Sequence, residues 1–325
     1  MDSRFYDRTP MTALLRPDIT AIRQGNTEVE GVWLFDSKQV GPLTAITCLI
    51  HGNEICGPWA IKELIESIHE SKLVLQKGKL CLVMCNLDAF DNFSPADLHA
   101  SRFVEEDMNR VWSSDKLQSP STKERRRANA LLPYLSPADY LLDLHSMHDP
   151  GDPLLLTGLS SKDFAFAQKL KLPGHIIVDA GHSEGIRLRD YKPEATALLV
   201  ECGFHLAASS KVVAKQSIAR FLIATGQADF SMFDESWALD ELENSEFVSK
   251  EVAVTHAIVA KTNELRFKEE WQNMQTLPKE GRLLAVDGNT IFRTPYDNCT
   301  LIMPSLKQLR PGVTVMRLAK NVFQG

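Results

Sequence analysis

Three side chains that commonly bind metal ions follow strand-like segments of the sequence. His51 and Glu54 come just after an apolar, β-branched run that begins at Leu43, and His145 ends a second such run. Two imidazoles and one carboxylate leave the fourth position of a zinc ion open to water, as a catalytic site requires. A His-x-x-Glu pair alone also arises by chance, with His51 as a helix cap or core residue. The prediction of one zinc ion per chain therefore depends on all three residues meeting.

Two further residues lie close to His145 in the sequence. Asp143 precedes it by two positions, so both side chains project from the same face of a strand. Carboxylates often orient metal-bound imidazoles in this way, although Asp143 could instead cap a helix or pair with a surface cation. His148 is either an additional ligand or a loop residue near the site. We therefore predict that Asp143 orients the His145 ring.

Glu201 ends an apolar segment that begins at Leu198. A carboxylate at the end of a buried strand is costly unless it is paired or lies in a cleft. Beside metal-activated water, such a group with a raised pKa can act as a general base. The alternative is a strand-end glutamate that faces solvent. The pattern predicts Glu201 as the catalytic base.

A short polar segment gathers two arginines and an amide, Arg102, Asn109 and Arg110. Guanidinium groups bind carboxylates through two parallel hydrogen bonds, and fixed cations stabilise an oxyanion. In an amide-hydrolysing site these residues would bind a substrate carboxylate, and Arg110 would also take part in catalysis. Alone, the segment would more often be a charged surface helix.

The elements that must position these residues alternate between strands and helices. Apolar runs predict strands at 43–50, 79–86, 139–144, 154–156, 176–178 and 196–201. Helices are predicted at 57–69, at about 120–132 with Ser121 or Thr122 as cap, and at 209–225. This alternation predicts an α/β sheet with helices on its faces. Ligand sites in such sheets form beyond the carboxyl ends of strands, where the candidate metal ligands lie.

The last part of the chain has a different pattern. Residues 229–246 are acidic, which predicts a surface linker or a short exposed helix. Short strands separated by Gly, Pro, Asn and Asp are then predicted at 252–261, 282–286, 290–293, 301–303 and 313–318. We therefore predict a catalytic domain over residues 1–230, and a linker with a small C-terminal β domain over residues 231–325.

Four separated motifs together resemble those of the aspartoacylase/succinylglutamate desuccinylase family, which is related to the zinc carboxypeptidases. They are His51-Gly-Asn-Glu54, Arg102 with Asp107-Met-Asn-Arg110, Asp143-Leu-His145 and Glu201-Cys-Gly203. The resemblance implies a three-layer α/β/α zinc-carboxypeptidase-like domain with a mixed central sheet. The metal ligands that it implies are His51, Glu54 and His145. It also implies that Glu201 is the base, and that the substrate and its scissile carbonyl are bound by Arg102, Asn109 and Arg110.

The resemblance implies a deacylase that cleaves an N-acyl amino acid or a similar small amide with a carboxylate. An arginine before the base binds substrate carboxylate in this family, which Arg187 or Arg189 could supply, and Tyr296 could correspond to a substrate-binding tyrosine. The alternatives are a zinc carboxypeptidase acting on peptides and a catalytically silent metal-binding relative. A β domain across the mouth of the site would favour small substrates.

Composition limits the classes of partner. The 325 residues carry a net charge of −6, with 44% hydrophobic and 24% charged residues, as is typical of globular domains. The mild acidity disfavours nucleic-acid binding, and no apolar run approaches the roughly 18 residues of a membrane span. The N-terminus lacks the apolar region of a secretory signal, and six cysteines without a Cys-x-x-Cys pair favour a reduced, cytoplasmic protein. We expect a small anionic substrate as the partner and leave homo-oligomerisation open.

Overall fold

The computed structural model describes residues 13–172, 174–181, 184–192, 194–243 and 247–322. The strands are β1 (Val32–Asp36), β2 (Leu43–Cys48), β3 (Lys79–Met84), β4 (Tyr140–Met147), β5 (Leu154–Thr157), β6 (His175–Val178), β7 (Thr196–Phe204), β8 (Glu251–Val259), β9 (Arg266–Phe267), β10 (Thr276–Leu277), β11 (Leu283–Asp287), β12 (Thr290–Arg293), β13 (Cys299–Ile302) and β14 (Thr314–Asn321). The α-helices are α1 (Thr20–Arg23), α2 (Cys56–His69), α3 (Leu87–Asp91), α4 (Ser114–Gln118), α5 (Lys123–Leu135), α6 (Ser161–Leu170), α7 (Leu188–Tyr191), α8 (Ala208–Ala224) and α9 (Leu239–Glu243). Short 3-10 helices cover Met108–Arg110, Phe230–Met232 and Glu235–Trp237.

Within these residues, a mixed sheet has the strand order β1-β3-β2-β4-β7-β5-β6-β8-β14-β13-β10. Strands β3, β2, β4 and β7 run parallel to one another, while β5 is antiparallel to β7. The chain leaves β2 for β3 on one side and then crosses to β4 on the other side. Ligand sites of α/β sheets form at such a reversal of strand order, so the carboxyl ends of β2 and β4 are the expected location.

Two apolar layers cover the parallel strands, because alternate residues of each strand face opposite sides of the sheet. On one side, Ile46 and Leu142 belong to the core that packs against α2, α6 and α8. On the other side, Ala45 and Leu141 pack against α5 and α7. The predicted three-layer α/β/α fold with a mixed central sheet is confirmed.

Helices α2 and α5 begin where their sequences allow a start. Pro58 lies in the first turn of α2, where its missing N–H leaves no hydrogen bond unmade. Thr122 caps α5, since its Oγ1 accepts a hydrogen bond from the Arg125 N–H at 3.3 Å. Of the two predicted caps for α5, Thr122 is therefore the one that the structure uses.

The acidic segment is not the exposed linker that we predict for 229–246. In its described part, Phe233, Trp237 and Leu239 are buried against the core of the parallel sheet, and Gln216 of α8 donates a hydrogen bond to the Ala238 carbonyl at 2.8 Å. The prediction of an exposed linker is wrong there because the acidic residues alternate with apolar ones that bury considerable surface, whereas the alternative of a short helix is met by α9. Residues 244–246 lie outside the described residues.

The C-terminal strands form a continuation of the central sheet. β8 pairs in parallel with β6, and β14, β13 and β10 follow in order. Strands β9, β11 and β12 form a separate three-stranded sheet, and the region has its own apolar core that includes Trp271 and Leu284. The C-terminal β region is thus present, and the boundary at residue 230 stays a prediction.

Two expectations about the chain as a whole concern cysteines and membranes. All six cysteines are buried and free of disulfides. Among the described residues, no helix combines the length and apolar character that crossing a bilayer demands.

Candidate active site

The three predicted metal ligands meet in a buried cluster. His51 Nδ1 lies 2.7 Å from Glu54 Oε1, and His145 Nδ1 lies 2.8 Å from Glu54 Oε2. The side chains are almost inaccessible to solvent, and one ligand atom from each lies within 4.8 Å of the others. The second of these close pairs lacks hydrogen-bond geometry, so the buried Glu54 Oε2 has no donor. Imidazole nitrogens and carboxylate oxygens that converge in this way fit a metal ion, and two imidazoles with one carboxylate fit zinc.

The other nitrogen of each imidazole contacts a second carboxylate. His51 Nε2 lies 2.9 Å from Asp107 Oδ1, and His145 Nε2 lies 2.8 Å from Asp143 Oδ2. An Nε2–H that donates to a carboxylate leaves the Nδ1 lone pair directed at the metal position. The contact between Asp143 and His145 confirms our prediction, whereas the contact of Asp107 with His51 is one that the sequence interpretation missed.

Thr47 on β2 completes the support of His145. It pairs with Asp143 across β2 and β4, and its Oγ1 donates a hydrogen bond to Asp143 Oδ1 at 2.6 Å. Thr47 and Asp143 are fully buried. A hydrogen-bonded carboxylate in this environment keeps its orientation, so the parallel pairing of two strands fixes the His145 ring.

A glycine allows the His51 loop to reach its position. A Cβ on Gly52 would lie 2.3 Å from the Ala89 carbonyl carbon and 2.5 Å from the Ser101 carbonyl oxygen, which no other residue could tolerate. The Gly52 N–H also donates to the Arg102 carbonyl at 3.1 Å. The loop with the metal ligands is therefore packed directly on the loop with Arg102.

Glu201 lies beside this cluster, in the carboxyl-terminal half of β7. In the parallel pairing of β4 and β7 it is the partner of His145. Burial raises the pKa of the Glu201 carboxyl to about 8, although His145 lowers it, and the nearby Glu54 raises it further. Its Oε2 is buried and has no hydrogen-bond donor. A carboxyl whose pKa lies near neutral pH, and that lies beside a metal position, can accept a proton in its ionised form and return it.

The predicted substrate-binding arginines are held by carboxylates. Arg102 Nη2 donates to Asp107 Oδ2 at 3.1 Å, and Arg110 Nε donates to Glu184 Oε2 at 3.4 Å. Asn109 Oδ1 accepts a hydrogen bond from the Leu188 N–H at 3.1 Å, so its carbonyl group already has a structural partner. Burial opposes ionisation of Asp107, but Arg102 and His51 hold the pKa of this carboxyl well below its usual range.

These residues enclose a cavity of about 140 Å³, which we call the catalytic cavity. Its metal end is formed by His51, Glu54, His145 and Glu201. Five guanidinium groups also line it, those of Arg102, Arg110, Arg187, Arg310 and Arg317. Its roof comes from the C-terminal region and includes Met303, Val313 and Thr314. The cavity is thus small, and it combines a metal position with an excess of arginine over the carboxylates that line it.

The sequence leaves the roles of four residues open, and only some of them line this cavity. Arg187 lines it, with Nη1 bound to Asp179 at 2.9 Å. Arg189 and Tyr296 do not line it, and the Tyr296 hydroxyl instead lies 2.6 Å from Thr255 Oγ1. His148 lines the cavity but does not belong to the metal cluster. Its Nδ1 lies 3.1 Å from His205 Nε2, so it is a residue near the site.

Comparison with protein families agrees with this arrangement. The family model described as the succinylglutamate desuccinylase/aspartoacylase catalytic domain matches residues 40–203, which is half of the chain. The chain belongs to this family. The matched range contains the metal cluster, the arginine segment and Glu201. Membership supports an amide-hydrolysing deacylase.

Solved structures of similar fold match most of this chain. Succinylglutamate desuccinylase from Vibrio parahaemolyticus has a TM-score of 0.66 at 18% identity, covering 90% of this chain and 86% of that one. Succinylglutamate desuccinylase/aspartoacylase from Rhodobacter sphaeroides has a TM-score of 0.63 at 17% identity, covering 90% and 89%. The product-bound ectoine utilization protein EutE (DoeB) from Ruegeria pomeroyi has a TM-score of 0.61 at 18% identity, also covering 90% and 89%. These likenesses show the fold. A search of the curated proteins by sequence gives no match.

Proposed function

We propose that this protein is a zinc-dependent amidohydrolase that cleaves an N-acyl amino acid or a similar small amide bearing a carboxylate. The observation that carries the proposal is the pairing of His145 with Glu201 on adjacent parallel strands. This pairing places a carboxyl of raised pKa beside a buried cluster of two imidazoles and one carboxylate. A site that only stored a metal ion would need no such base.

The residues that would hold one zinc ion per chain are His51, Glu54 and His145. A zinc ion held there would supply Lewis-acid activation of water and of the amide carbonyl. Asp107 and Asp143 keep the two imidazoles in the tautomer that this requires. Each of these side chains is therefore already placed for its task before a substrate arrives.

Glu201 performs the proton transfers. It takes a proton from the water that attacks the amide carbonyl, and it then passes this proton to the departing nitrogen. Its raised pKa suits both steps, because the carboxyl must accept a proton and release it again near neutral pH.

The arginines bind the anionic parts of the substrate. Arg110 would stabilise the developing oxyanion, while Arg102 and Asn109 would bind the substrate carboxylate. Arg102 is oriented by Asp107, which also contacts His51. Asp107 thus contacts both a substrate-binding arginine and a histidine of the metal cluster.

The size of the catalytic cavity favours small amides over peptides. Its volume of about 140 Å³ lies below the usual range for ligand pockets, and residues of the C-terminal region such as Met303 and Thr314 cover it. A peptidase acting on long chains would need an open groove at this place. We retain the cytoplasmic location as an expectation from the unpaired cysteines.

The test combines metal analysis with substitution of the base. The purified protein is expected to contain about one zinc ion per chain and to lose hydrolysis of N-acetyl, N-succinyl or N-formyl amino acids when a chelator removes it. Glu201→Gln should lower kcat by roughly 10²–10⁴-fold with zinc still bound. Near-normal activity of this variant would exclude Glu201 as the base. Activity that persists after chelation would contradict metal dependence. Glu66→Gln, whose side chain in α2 is 51% exposed, serves as the matched control.

A further inference from the structure

We propose that a second cavity, which opens beside the catalytic cavity, binds an uncharged apolar or aromatic group of the substrate. This distal cavity measures about 680 Å³, and its walls include Met147, His148, Trp271, Met303 and Leu306. The group that it would hold belongs to the half of the amide that points away from the arginines. The inference rests on the proposed function and specifies its substrate class.

The sizes of the two cavities are the first argument. Pockets that bind small molecules usually measure about 300–1,000 Å³. The catalytic cavity, at about 140 Å³, is too small for this range, whereas the distal cavity lies well inside it. Four residues line both cavities, namely Met147, His148, Met303 and Ser305. A substrate held at the metal position therefore extends past these residues into the larger space.

The chemistry of the distal walls is the second argument. Trp271 lines the cavity, and its Nε1 donates a hydrogen bond to the Leu284 carbonyl at 3.0 Å, so the polar edge of the indole is already paired. Phe267 and Leu306 add further apolar surface. This apolar part of the wall stabilises a ligand through burial of apolar area.

The boundary between the two cavities is held in a specific conformation. Met303 has a φ of 48°, a left-handed conformation that is costly for a residue with a side chain. Asn273 holds it there, because its Oδ1 accepts a hydrogen bond from the Met303 N–H at 2.9 Å. The Nδ2 of Asn273 also contacts Met147 Sδ at 3.8 Å. One amide thus positions the two methionines that line both cavities.

The distribution of charge decides which half of the substrate lies where. The guanidinium groups line the catalytic cavity, and no arginine is among the described residues of the distal one. The distal cavity instead carries Asp149, Asp152 and Glu270, with Lys307 as its cation. Lys307 Nζ is bound to Asp149 at 2.7 Å. A substrate carboxylate is therefore favoured at the arginines and disfavoured in the distal cavity.

Two ligand series test this assignment. One contains N-acylaspartates with acetyl, butanoyl and phenylacetyl groups, and the other contains N-succinyl derivatives of methylamine, butylamine and benzylamine. Affinities are measured by calorimetry on zinc-loaded Glu201→Gln protein, in which turnover is blocked, and kcat/KM is measured on the unmodified enzyme. In at least one series, affinity is expected to rise about tenfold or more from the smallest to the aromatic member. The series that shows the rise identifies which half of the amide enters the distal cavity.

Substitutions and a charged ligand sharpen the test. A carboxyl group added to the aromatic ring should abolish the gain, because the distal cavity is rich in carboxylates. Leu306→Trp should remove the gain and leave the smallest ligand unaffected within about twofold, since it fills space that only the larger ligands use. Ile291→Trp, on the exposed face of β12 in the separate sheet, is the control and should change neither affinity.

The outcomes that overturn the inference are distinct from those that overturn the function. Affinities that stay flat across both series, an undiminished gain for the carboxylated ligand, or no measurable binding of any ligand would each refute the distal cavity as a substrate site. The ligand series on the otherwise unmodified chain decides this even if Leu306→Trp fails to fold. If affinity rises with apolar size but the unmodified enzyme hydrolyses no member of either series, the distal site stands and the proposed function fails.

Discussion

Replacing Glu201 by Gln removes a carboxyl group whose ionisation is opposed by the fold. Burial raises its pKa from 4.5 to about 8, so at pH 7 it is protonated in the folded chain and ionised in the unfolded one. Each pKa unit corresponds to about 1.4 kcal/mol. Between pH 4.5 and pH 7, ionisation of this group in the unfolded chain therefore lowers the free energy of unfolding of the metal-free protein by about 3 kcal/mol. A neutral side chain of the same shape would cause no such loss.

The sign of this effect follows from proton uptake on folding. A group whose folded pKa is raised stabilises the folded state fully below its unfolded pKa, and this contribution is lost as the pH rises toward the folded pKa. The isosteric amide has no such dependence. Relative to the unmodified chain, Glu201→Gln is thus expected to gain up to about 3 kcal/mol of unfolding free energy at pH 7, and less than about 1 kcal/mol at pH 5.

The assay is urea denaturation of chelator-treated protein at both pH values. A zinc ion would bring positive charge close to Glu201 and lower its pKa, so the gain at pH 7 should shrink when zinc is restored. Glu63→Gln is the control, and it is expected to lower the free energy of unfolding at pH 7 instead of raising it. The Glu63 pKa is lowered despite partial burial, because Lys211 and Lys215 bind this carboxylate. A metal-free Glu201→Gln protein that is less stable than the unmodified chain at pH 7 would refute the reasoning.

Three further predictions concern metal affinity, pH and substrate charge. Asp107→Asn should weaken zinc binding about 10–100-fold in competition with a chromogenic chelator, because His51 loses its orienting carboxylate. The control is Asp88→Asn, which should leave zinc affinity unchanged because the Asp88 side chain is 61% exposed. The pH–rate profile of kcat/KM should fall on the acid side with an apparent pKa between 4.5 and about 8, since Glu201 must be ionised to accept a proton, and a limb below 4.5 would contradict this. Arg102→Ala should raise KM about tenfold or more for a substrate carboxylate, yet much less for the corresponding primary amide, and equal effects on both would exclude a carboxylate contact.

The metal cluster could be predicted from the sequence because each ligand follows a recognisable strand. His51 and Glu54 come directly after β2, and His145 lies near the end of β4. Parallel strands place their carboxyl ends at one edge of a sheet, so residues almost a hundred positions apart meet there. The prediction that Asp143 supports His145 was likewise accessible, because alternation along one strand puts both on the same face.

Other parts of the site depend on contacts that no local pattern reports. Asp107 precedes a 3-10 helix, and one of its oxygens accepts a hydrogen bond from the Asn109 N–H at 2.8 Å, which is a turn signal that sequence can show. That the same oxygen also meets His51 requires the folding of two distant loops onto each other. The role of Thr47 depends in the same way on the register of β2 with β4.

The C-terminal strands explain why the sequence alone does not predict how Arg110 is oriented at the arginine end of the cavity. The N–H and hydroxyl of Thr314 both donate to Glu184 Oε1, at 2.7 and 2.8 Å, while the other oxygen of Glu184 binds Arg110. The orientation of Arg110 thus depends on a threonine 130 residues beyond Glu184. It also depends on β14 being held to β8 and β8 to β6. Because these pairings are long-range, a region without any catalytic motif of its own nevertheless completes the site by closing the cavity and fixing its cations.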